Sequence, residues 1–73
     1  MNKVTHTATA PIPMEMLAKM NNCIEDSPGQ WYRFNCRLQA RDFMDAIWMN
    51  HRKIGNLHHP STTVFINQES GNQ

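Results

Sequence analysis

Apolar residues recur along this chain with two different periods, and the changes of period mark out its elements. Over residues 13–25, Met16, Leu17, Met20, Cys23 and Ile24 fall within an arc of about 120° at helical spacing, with Glu15, Lys19, Asn22 and Glu25 opposite. The spacing predicts a first helix. Pro13 suits its first position, where a missing N–H had no partner anyway. Glu15 in the first turn complements the positive end of the helix dipole. Ser27-Pro28-Gly29 then breaks the helix.

From Tyr32 to Leu38 the period becomes two. Tyr32, Phe34, Cys36 and Leu38 alternate with Arg33, Asn35 and Arg37, which predicts a half-buried strand. A rival pattern overlaps it: Ser27-Pro28-Gly29-Gln30 also has the form of a capping box, which would start one long helix running from residue 28 to 53. Trp31, Phe34 and Leu38 are out of phase with the later stripe of Ala40, Phe43, Met44 and Ile47, so the strand is preferred. A second helix follows over 39–53. Ala40, Phe43, Met44, Ile47, Trp48, His51 and Ile54 share an arc of about 140°; Arg41, Asp42, Asp45, Arg52 and Lys53 lie across from it. Gly55-Asn56 reads as its stop. Residues 57–61 form a loop broken at Pro60. The β-branched run at 62–66, TTVFI, reads as a strand.

These elements predict a small α+β single domain, with two amphipathic helices packed on a two- or three-stranded sheet in the order α-β-α-β. The alternation of Val4, His6 and Ala8 with threonines permits an optional N-terminal strand. The alternative is a mainly α fold with one long second helix. Residues 1–11 are expected to be a flexible N-terminal segment, 12–67 the compact domain and 68–73 a flexible tail. The expected core is Leu17, Met20, Ile24, Phe34, Leu38, Phe43, Ile47, Val64 and Ile66. The strand at 62–66 is expected to lie beside 32–37.

Size sharpens this picture. A chain of 73 residues buries only about 60% of the surface its unfolded form exposes, and its core is marginal. The first thirteen residues lack the apolar run of an export signal, so a cytoplasmic, reducing location is expected. Cys23 and Cys36 are then expected as free, buried, structural thiols. No apolar run is long enough to span a membrane. Net charge is only +1, but residues 31–60 hold five Lys/Arg against two Asp, together with both tryptophans and the one tyrosine.

No pattern in the chain names a chemistry. Cys23, Cys36, His51, His58 and His59 lack the close ligand pairs of a zinc site, and the adjacent His58 and His59 would point to opposite sides of an extended segment. No metal and no cofactor is expected. No nucleophile elbow, Gly-rich phosphate loop or H-E-x-x-H is present, and the chain is read as non-enzymatic. The expected function is a small protein-binding regulator or inhibitor acting on a larger partner protein. Its contact would centre on Arg41, Trp48, Met49 and Arg52, with Arg33 and Arg37 as a charged border, because Trp, Met and Arg are enriched at interface cores. The alternative is a small nucleic-acid-binding regulator using 31–60, with Trp31 and Tyr32 stacking on bases. Exposed Trp48 and Met49 and an unpaired sheet edge also lead us to expect a homodimer.

Overall fold

The computed structural model describes residues 10–67. In chain order the elements are α1 (Met14–Met20), β1 (Glu25–Ser27), β2 (Trp31–Arg33), α2 (Arg37–His51), β3 (Gly55–His58), a 3-10 turn (His59–Ser61) and β4 (Thr63–Ile66). The strands form one antiparallel sheet in the order β1-β2-β4-β3. The α+β class therefore holds. The order α-β-β-α-β-β replaces α-β-α-β, and the sheet has four strands where two or three were expected. The long-helix alternative is overturned, since β2 and an extended Cys36 precede α2. The optional N-terminal strand and the tail at 68–73 lie outside the described residues.

Each departure has a local cause. α1 stops at Met20 instead of residue 25 because Asn22 adopts a left-handed conformation (φ 65°). The Asn22 N–H reaches the Lys19 carbonyl and the Cys23 N–H reaches that of Ala18, both at 3.0 Å. This paired closure satisfies carbonyls the helix end would leave orphaned. The chain released at Cys23 becomes β1, which sequence spacing had assigned to helix. Ser27-Pro28-Gly29-Gln30 is a type II turn joining β1 to β2. Proline sets φ at its second position, Gly29 takes φ 81° at its third, and the Gln30 N–H bonds the Ser27 carbonyl at 2.8 Å.

β2 is shorter than the expected strand: Phe34 makes one further bond in register with β4, to Thr62 (N···O 3.1 Å), and α2 then starts at Arg37, not residue 39. Cys36, expected to be buried, is exposed as the residue capping α2. Leu38, expected in the core, lies on the outer face of that helix's first turn and is 68% exposed. α2 ends at His51, with Arg52 in the left-handed conformation (φ 56°). Gly55-Asn56 is therefore not the helix stop; both residues belong to β3, which also takes Leu57 and His58 from the expected loop and leaves the turn at His59–Ser61.

β4 does pair with β2 as expected, placing Tyr32 opposite Val64, and Val64 opposite Leu57 on β3. That row faces the helices. The alternate rows, Trp31–Phe65–Asn56 and Arg33–Thr63–His58, face away. α2 packs on β3 and β4, and α1 packs on α2. The core comprises Leu17, Ala18, Tyr32, Phe34, Ala40, Phe43, Ile47, Val64 and Ile66. Met20 and Ile24, expected within it, are exposed, because Met14, Leu17 and Ala18 form the inward face of α1. The N-terminal approach to α1 is tied down by polar contacts: Ile12 donates its N–H to Asn50 Oδ1 (3.0 Å) and its carbonyl meets His51 Nε2 (2.7 Å).

Two measurements check this packing. A Cβ added at Gly55 would sit 2.6 Å from Val64 Cγ1, and 3.2 to 3.3 Å from Met44 and Ile47. Gly55→Ala is expected to lower stability by about 1–3 kcal/mol in urea denaturation, as overpacking does; an unchanged midpoint would contradict the close approach. Second, burial raises the Tyr32 hydroxyl above its ordinary range against the opposing bond from the Gly29 N–H, and burial likewise raises the Cys23 thiol. Both groups fold in the neutral form. Their contribution is complete below the unfolded values and is lost as pH rises through the folded ones. Stability should thus decline above about pH 9. Tyr32→Phe should flatten the upper part of that decline. A profile identical to the parent's would remove Tyr32 from the account.

Candidate functional site

The burial of Ala40, Phe43 and Ile47 decides which face of α2 is left for solvent. At helical spacing the opposite arc, about 120° wide, carries Leu38, Arg41, Asp42, Asp45, Trp48, Met49 and Arg52. Every one of these is exposed, and three are large and apolar: Leu38, Trp48 at 47% and Met49 at 71%. Sequence reasoning missed Leu38. Its assignment to an alternating strand made it a core residue, while its spacing from Arg41, Asp45, Trp48 and Arg52 along one helix would have placed it outside.

Trp48 and Arg52 form the built part of this strip. The Arg52 guanidinium carbon lies 5.3 Å from the centre of the indole ring. Nη1 donates to the Trp48 carbonyl at 3.3 Å, and the Arg52 backbone N–H donates to the same carbonyl at 2.9 Å. Such a cation–π contact is worth about 0.5–1 kcal/mol when exposed. Arg52 makes it from a left-handed backbone conformation that usually falls to glycine. The result is a flat, partly apolar plate with a fixed positive charge at the end of α2. Along the strip the charges balance, with Arg41 and Arg52 beside Asp42 and Asp45.

The remaining residues singled out by sequence do not join this strip. Arg37 stands in the first turn of α2, exposed. Arg33 lies on the sheet face that points away from α2, where its guanidinium is paired with the Glu25 carboxylate. Tyr32 is fully buried, and its hydroxyl accepts the Gly29 N–H at 2.6 Å. Trp31 shares the open sheet face with Phe65, which is 43% exposed and meets His58 edge-on with ring centres 6.3 Å apart. Phe65 was legible from alternation: with Val64 and Ile66 inward, it must point out. An open depression of about 560 Å³ lies beside this face, lined by Pro28, Gly29, Gln30, Trp31, Phe65 and Ile66.

Among the described residues, no three His, Cys, Asp or Glu side chains converge to hold a metal ion, and no helix is long and apolar enough to cross a membrane. Both thiols are free. Cys23 donates to the Glu25 carbonyl at 3.2 Å, and burial, with the Asp26 charge adding to it, disfavours its thiolate. The thiolate is the nucleophilic form.

The Arg52 geometry can be checked without a partner. Arg52→Ala keeps the left-handed requirement and removes the stack, whereas Arg52→Gly removes both. The glycine variant is expected to be more stable than the alanine variant by about 1 kcal/mol. Equal denaturation midpoints would mean that residue 52 is not held left-handed in solution.

No protein-family model, curated protein or solved structure matches this chain, so its function is read from the chemistry of its own surface.

Proposed function

We propose that this protein is a small non-enzymatic regulator or inhibitor that docks the outer face of α2 onto a larger partner protein. The observation that carries this reading is the strip itself. Trp48 and Met49, with Leu38, stand exposed on a helix whose inner face already fills the core. They are interleaved with Arg41 and Arg52, and the arginine charges are matched by Asp42 and Asp45. Aromatic, methionine and arginine side chains on a charge-balanced surface suit the mixed core of a protein interface. Trp48, pre-positioned by Arg52, would be the anchor, because a side chain already fixed loses less entropy on binding. Arg37 borders the strip.

The nucleic-acid reading needs stacking surfaces and basic charge on one continuous face. Three observations weigh against it. Tyr32 is buried, Arg33 is spent on Glu25, and Arg37, Arg41 and Arg52 belong to the layer opposite Trp31. Asp42 and Asp45 among the arginines would also repel phosphates and offset the positive charge that binds them.

The test is affinity capture from the native host with nuclease treatment, comparing the parent, Trp48→Ala and Arg33→Ala, each first shown to be folded by circular dichroism. A partner protein should be retained by the parent and by Arg33→Ala. Trp48→Ala should weaken its binding by about 2 kcal/mol or more, as truncation of an anchor does, and added salt should weaken parental binding only mildly. If Trp48→Ala captured as the parent does, the docking strip would be lost; if in addition nuclease removed every captured partner and affinity fell steeply with salt, the reading would pass to nucleic acid.

A further inference from the structure

The sheet has two edges, and they differ. β1 is three residues long and presents exposed Glu25 and Asp26; charge along an edge is a device against strand addition. β3, Gly55-Asn56-Leu57-His58, forms the other edge and bears no Asp, Glu, Lys or Arg. The Asn67 N–H bonds the Ile54 carbonyl at 2.9 Å, which extends the ladder with β4 back to residue 54 and fixes its phase. Residues 54, 56 and 58 direct their backbone groups at β4. Gly55 and Leu57 therefore direct theirs outward, since the two directions alternate along an antiparallel strand. Among the described residues no strand lies beyond them.

We propose that a second copy of this chain pairs with β3, antiparallel, about a two-fold axis that passes Asn56. The register follows from the outward groups. Gly55 of each copy stands opposite Leu57 of the other, and Asn56 faces Asn56, an arrangement that exchanges about four main-chain hydrogen bonds and is self-complementary as a two-fold interface must be. Other symmetric registers that bring outward groups together centre on Gly55 or Leu57, and overlap fewer residues of the strand.

Side chains on both faces fit this occupant. On the open face, Ile54 is 55% exposed although it lies within the ladder. In the proposed register it comes opposite His58 of the second copy, so an aliphatic side chain is covered by a ring that already packs on Phe65. Asn56 meets its own copy at the axis, where two side-chain amides can donate to and accept from each other. On the helix face, half-buried Leu57 arrives beside Gly55, which has no side chain to obstruct it and lies under Met44 and Ile47. The main-chain pairing itself uses no residue of the outer strip of α2.

The experiment is sedimentation velocity on the full chain across the micromolar range, with Asn56→Asp and Asn56→Lys as variants. Asn56 is exposed, and circular dichroism should show that both variants remain folded. The parent should sediment at twice the 8.5 kDa chain mass. Each variant alone, with like charges facing across the axis, should have its dimerisation weakened at least about tenfold. An equimolar mixture should recover the dimer, because Asp then faces Lys. A monomeric parent would overturn the proposal and leave the edge to a strand from another protein. Either variant dimerising alone, or a mixture that stays monomeric, would overturn it as well.

Discussion

Phe43 is the contact on which this structure depends. It is the one core residue of α2 whose ring meets both buried aromatic rings of the chain entering that helix, Tyr32 at 5.0 Å and Phe34 at 5.1 Å between centres, each tilted and not stacked flat. Tilted pairs set ring edges against faces and contribute beyond their buried area. Through Tyr32 the contact reaches the β1–β2 turn, because the Tyr32 hydroxyl accepts from Gly29. Through the row Tyr32, Val64 and Leu57 it reaches the far edge of the sheet. One ring thus fixes the angle of α2 over the strands, and the helix's outward face follows from its inward one.

A core this small leaves apolar side chains over. Met16, Met20, Ile24, Leu38, Trp48, Met49, Ile54 and Phe65 are all exposed. Scattered singles of this kind are ordinary in small domains. Their grouping is more informative than their number: Trp48, Met49 and Leu38 gather on one helix face among balanced charges, while Ile54 and Phe65 lie on the sheet face near an uncharged edge. The two groups are separated by the full thickness of the two layers, which allows the molecule distinct surfaces for distinct contacts.

What could be read from the sequence divides along physical lines. The inner stripe of α2 and the β4 strand were legible because each is a periodic run whose inward residues, Phe43 and Ile47 or Val64 and Ile66, bury as the period demands. β1 and β3 were not. Glu25-Asp26-Ser27 and Gly55-Asn56-Leu57-His58 have poor strand propensity, and they become strands because tight connections deliver them beside partners that need pairing. The α1 error has a different source. Asn22 can end a helix through its left-handed conformation, yet nothing in a pattern of apolar spacing registers that choice. Within the candidate site, the exposure of Trp48, at the edge of the apolar arc, and of Met49, clearly outside it, was legible. The Trp48–Arg52 stack was not, because it depends on a backbone conformation at Arg52 that composition does not disclose.

The attachment of α1 has a consequence for how the molecule breathes. Both polar contacts that hold Ile12 reach across 38 to 39 residues to the last turn of α2. The hairpins, by contrast, close over short loops. A segment secured by distant contacts and by Leu17 and Ala18 at its inner face is a natural unit of partial opening, since local unfolding selects regions with few buried contacts. Its release would free Asn50 and His51 on the helical turn that also carries Trp48 and Met49. The N-terminal helix and the proposed docking strip are therefore joined at the same turn of α2.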